Sequence, residues 1–171
     1  CTFYRLGNDI ELASHTAMLL VHPILLQTSQ EPTELSDLHQ CTAILKSASA
    51  YEAYRKVSRS VVLPEKIVEF LLLNQYFPRS VRFCARALRQ NIERIGEQPL
   101  GPSSREPARL VGQIAADLDF ITLEEIHEMG LETFLTEVVR QLDRITMAIS
   151  RTYFRAGESQ EVTISGPRRH L

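Results

Sequence analysis

At 171 residues the chain has the length of one domain, and a fold of that size removes roughly 70% of its extended surface from water. A formal charge of −2, from 19 Lys and Arg against 21 Asp and Glu, argues against a surface basic throughout, as binding to nucleic acid or anionic membrane would favour. Hydrophobic residues at 44% exclude a disordered chain.

Apolar residues recur at helical spacing almost everywhere, and glycine is scarce. From Phe3 to about Thr28 the positions Phe3, Leu6, Ile10, Ala13, Ala17 and Leu20 fall on one face of a 3.6-residue repeat. Pro23 lacks an N–H and is expected to kink or interrupt this helix near its end. Residues 27–37 read as loop and cap. A second helix is expected from about Asp37 to Lys56, with Leu38, Cys41, Leu45 and Ala48 on the repeat. Pro64 suits the first turn of a third, because the N–H it lacks would have no helical partner there. That helix, to about Gln75, is apolar on most sides and should be central. A fourth, Arg79 to Ile95, carries the stripe Val81, Cys84, Ala85, Leu88, Ile92 and Ile95, with Gly96 as its stop.

Residues 96–107 hold three prolines and two glycines and read as a linker. A fifth helix spans about Pro107 to Asp119. Thr122 and Glu125 have capping-box spacing, which places a short helix from there to Gly130. The last helix runs from Leu131 to Phe154. The reading is all-α: a multi-helix up-and-down bundle of about six to seven helices over residues 1–155. Residues 156–171 should form a flexible, irregular tail. Phe70 and Leu88 are the expected core anchors.

Cys1, Cys41 and Cys84 are odd in number and widely separated, which favours reduced thiols and a cytoplasmic protein over a disulfide framework. The longest apolar stretch, Ala17 to Leu26, is broken by His22 and Pro23 and falls short of the about 20 residues that span a bilayer. The first residues read as a helix already under way, so the missing N-terminal half of the same domain is an expected partner.

Among candidate chemical features, arginine stands first, supplying 16 of the 19 basic residues. Arg79, Arg82, Arg86 and Arg89 lie opposite the apolar stripe, where planar guanidinium forks could take carboxylates or phosphates. Between Arg109 and Arg140 there are seven Asp and Glu and no Lys or Arg, so an acidic helical surface is available to pair with the stripe. Arg79 and Ser80 follow Pro78 at a helix start, where free N–H groups favour an anion. Glu124 and His127 form a Glu-x-x-His unit of the kind used in di-iron bundles, but without a second copy, so no metal or cofactor is expected. No nucleophile elbow, phosphate loop or zinc-helix motif occurs, and no catalytic residue is assigned. Cys84 lies on the apolar stripe and reads as a small buried hydrophobe. The segment Tyr51 to Arg55 could bind a ligand, although aromatic residues at helical spacing usually pack.

Several blocks together resemble the alpha-E domain family of bacterial proteins, an all-helical family named for a Glu-Arg motif. Glu69 to Cys84 (EFLLLNQYFPRSVRFC) is similar to its FPRS-[VI]-RFC block, and Leu45 to Arg55 (LKSASAYEAYR) to its SAYEAYR segment. Phe3 to Ile10 resembles the start of its R-L-G-x-x-IERAD helix, and Glu125 to Phe154 its closing helix. The likeness spans about residues 3–155 and corresponds to the C-terminal half of the family domain. Where the family reads Glu-Arg-Ala-Asp, this chain has Glu11-Leu12-Ala13-Ser14.

The resemblance implies a non-catalytic accessory or interaction domain. Its expected partner is an ATP-grasp-type protein in an amide-ligating or peptide-modifying system, often accompanied by a transglutaminase-like protease. The candidate ligand- or partner-binding residues are Arg79, Ser80, Arg82, Arg86 and Glu11. Two other readings stay open: an enzyme with a site between helices, metal-assisted or otherwise, and a module that binds anions or acidic peptides through the arginine stripe.

Overall fold

The computed structural model describes residues 2–26, 35–58, 62–96 and 105–154. Among these residues the chain is all-α, with nine α-helices and a π-helical turn and no strand. The expected six to seven helices undercount because two of the expected rods are each broken by a local backbone feature. α1 (Thr2–Leu20) stops before Pro23, and the proline opens a separate short helix, α2 (Pro23–Leu26). His22 Nδ1 accepts the Ile24 N–H at 3.4 Å, and the His22 carbonyl accepts from Leu25 and Leu26. The second break divides α3 (Leu35–Ser47) from α4 (Tyr51–Val57). Ser49 takes a left-handed φ of 51°, its N–H bonds Lys46 O, and Ala50 N–H bonds Leu45 O at 2.7 Å. That pair of bonds is a Schellman stop, with serine where glycine is usual.

α5 (Pro64–Leu73) begins on Pro64 at its first turn and buries Ile67, Val68, Phe70, Leu71, Leu72 and Leu73. α6 (Val81–Gly96) buries the whole stripe from Val81 to Ile95. α7 (Arg105–Phe120) follows, then α8 (Leu123–Met129). The capping box is present: Thr122 Oγ1 accepts from Glu125 N–H at 3.2 Å, and Glu125 Oε2 accepts from Thr122 N–H at 2.8 Å. Gly130, at a φ of 86°, ends α8 and leads into α9 (Leu131–Ile149), a bend that a Cβ would strain. Residues Ser150–Phe154 continue as a π-helical turn, where one α-helix was expected to run through. Tyr153 and Phe154 there meet Phe3 edge-on, with ring centroids 5.2 and 5.7 Å away.

The four longest helices close a ring: α1 packs on α6, α6 on α7, α7 on α9, and α9 on α1. Each has one apolar stripe, and the ring turns all four stripes inward around Leu6, Leu20, Leu88, Ile114, Leu118 and Leu142. α5 joins the ring against α1 and α6, with α2 and α3 packed outside it. Asn91 Nδ2 ties α6 to α1 by donating to Asp9 Oδ2 at 3.0 Å. No helix among the described residues is long and apolar enough to cross a membrane. The expected tail and most of the expected linker lie outside the described residues.

Candidate functional site

The segment between α5 and α6, Asn74 to Ser80, is held by hydrogen bonds of its own and by others from α1 and α6. Asn74 Oδ1 accepts the N–H groups of Tyr76 and Phe77 at 2.9 and 2.8 Å, folding the chain back on itself. Ser80 is fully buried; its hydroxyl donates to Asn74 O and accepts Phe83 N–H at 3.1 Å. Ser80 is therefore the N-cap of α6, and both capacities of its hydroxyl are engaged within the fold. Thr16 of α1 anchors the turn from the other side by donating to Arg79 O at 2.8 Å.

The arginine stripe separates residue by residue. Arg82 donates from Nε to Leu118 O at 2.6 Å and from Nη2 to Ile121 O at 3.2 Å, closing the carbonyl end of α7. Arg86 Nε bonds Asp119 Oδ1 at 2.5 Å and its Nη1 reaches Gln75 Oε1 at 3.4 Å. Arg89 pairs loosely with Glu93 on its own helix, at 3.9 Å. The acidic surface anticipated for this stripe thus includes Asp119, while Arg82 is taken by backbone carbonyls. Arg79 is half-buried at the helix start, and Glu11 is exposed on α1 beside half-buried Leu12. Of the five candidate positions, Arg82 lines a cleft, and Arg79, Ser80, Arg86 and Glu11 are not on its lining.

That cleft, about 880 Å³ in volume, lies between α4, α5 and the start of α8. Its aromatic and apolar wall includes Tyr54, Phe70 and Leu123, and its charged residues are Glu65, Lys66, Glu69, Arg82 and Glu124. Lys66 Nζ bonds Glu69 Oε2 at 2.7 Å, and this carboxylate raises the Lys66 pKa above its ordinary value. Tyr54 is 1% exposed and stands edge-on to Phe70 at 5.5 Å, while Phe70 meets Phe77 at 4.9 Å. Among the described residues, the Tyr54 hydroxyl is the one buried side-chain polar atom with no hydrogen-bond partner. Leaving such a group unsatisfied costs about 1–3 kcal/mol, whereas buried Thr16, Ser80 and Asn91 all have partners.

Glu124 lines this cleft and His127 is half-buried on the same short helix, but no group of three or more His, Cys, Asp or Glu among the described residues could hold a metal ion. Sequence reasoning reached Tyr54 as part of the Tyr51–Arg55 segment and Glu124 as half of a metal motif. It passed over Glu65, Lys66 and Glu69, which in one dimension look like any solvated helix face.

Cys84 is 1% exposed, and burial, with Asp9 adding to it, pushes its thiol up to about 12. The unfolded chain releases this proton from about pH 9, the folded chain only near 12. Stability linked to Cys84 is therefore complete below about pH 9 and lost as pH rises toward 12, by about 1.4 kcal/mol per pH unit. Urea titrations at about pH 9.5 and 10.5 should show a steeper loss in the parent than in Cys84→Ala, whose remaining slope comes from groups such as Cys41 and Tyr153 that burial also raises. An unchanged slope would assign the alkaline loss to other groups. Iodoacetamide at neutral pH should leave Cys84 unmodified until the chain unfolds.

Phe70, on the cleft wall, also joins two separate stretches of the chain. Tyr54 comes from the SAYEAYR block and Phe77 from the FPRS block, and both pack on Phe70. The Alpha-E family, described as a predicted alpha-helical domain with a conserved ER motif, matches residues 1–154. The chain belongs to the Alpha-E family. Neither a curated protein nor a solved structure matches it. Within this Alpha-E chain, the place resembling the Glu-Arg pair is Glu11-Leu12, with the leucine packed against the core.

Proposed function

We propose that this Alpha-E domain is a non-catalytic accessory domain that docks a polypeptide belonging to an ATP-grasp-dependent amide-ligating or peptide-modifying system. One observation carries the reading: an open cleft of about 880 Å³ whose buried tyrosine hydroxyl lacks a partner. One of its charged groups, Arg82, is held in place by the carbonyl end of α7. A group fixed in this way keeps its position when a chain binds and need not be ordered by it. The family resemblance supplies the ATP-grasp association.

The test is co-expression of the tagged domain with an ATP-grasp protein, which this reading expects to be encoded beside it. The two should co-elute from a sizing column. Tyr76 lines the cleft and is 79% exposed, so Tyr76→Ala should weaken that association while leaving the fold intact. Separate elution of the parent proteins would remove the reading.

A further inference from the structure

We draw no further inference here: the strongest candidate, the surface patch at the end of α7 where exposed Tyr76 and Phe120 adjoin the Gln75 and Asp119 side chains bonded to Arg86, carries nothing because nothing in the structure shows what covers it.

Discussion

Leu88→Ala is expected to lower the unfolding free energy by about 2–5 kcal/mol, measured by urea titration. Leu88 is 0% exposed at the middle of the α6 stripe, and α6 packs against both α1 and α7. Truncation loses the transfer free energy of the removed carbons and leaves a void that the neighbours fill only in part. The size of the loss within that range reports how far the ring of four helices can close inward. Gln90 is an exposed position on the same helix, and Gln90→Ala should stay within about 0.5 kcal/mol. A loss below about 0.5 kcal/mol for Leu88→Ala would mean that α6 does not bury this face.

Arg82→Met is expected to cost about 2 kcal/mol, although the side chain is only half-buried. Its guanidinium closes the Leu118 carbonyl at 2.6 Å and the Ile121 carbonyl at 3.2 Å. Leu118 is in the last turn of α7, where carbonyls have no helical N–H to accept, and a cation there also meets the negative end of the helix dipole. Methionine keeps an apolar stem of similar reach and removes the charged bonds, so the loss reads the bonds rather than the packing. Arg82→Lys should recover little, since one ammonium cannot reproduce the planar two-point contact. Amide exchange should rise at the end of α7 in both variants, and a stable α7 end in Arg82→Met would show that water replaces the guanidinium at no cost.

Much of the helical layout was legible because it depends on neighbours a few residues apart. Pro64 at the start of α5, the Thr122–Glu125 box and Gly130 each act through local backbone geometry. The break at Ser49 is also local, yet it was missed: a Schellman stop is recognised by glycine or asparagine, and here a serine takes the left-handed φ. Ala48 and Ala50 on either side are 1% and 0% exposed, so packing of these small residues accompanies a conformation that serine disfavours. The helix count was low for that reason and because Pro23 starts a new helix where a kink was equally consistent with the spacing.

The candidate site was legible only in fragments. The arginine stripe could be seen, but whether a guanidinium faces solvent, a carboxylate or a helix end depends on a partner helix more than 30 positions away. Ser80 looked available at a helix start; burial and two hydrogen bonds make it part of the frame instead.

By itself, the sequence determined that this chain is helical, which faces of its rods are apolar, and which family it resembles, since periodicity and contiguous blocks are properties of neighbouring residues. Tertiary structure alone decided that four rods close into a ring, that Arg82 and Arg86 staple the end of α7, and that Tyr54 keeps a buried hydroxyl without a partner beside a cleft. Satisfaction of a polar group is settled by what stands within about 3 Å of it in space, and distance along the chain carries no information about that.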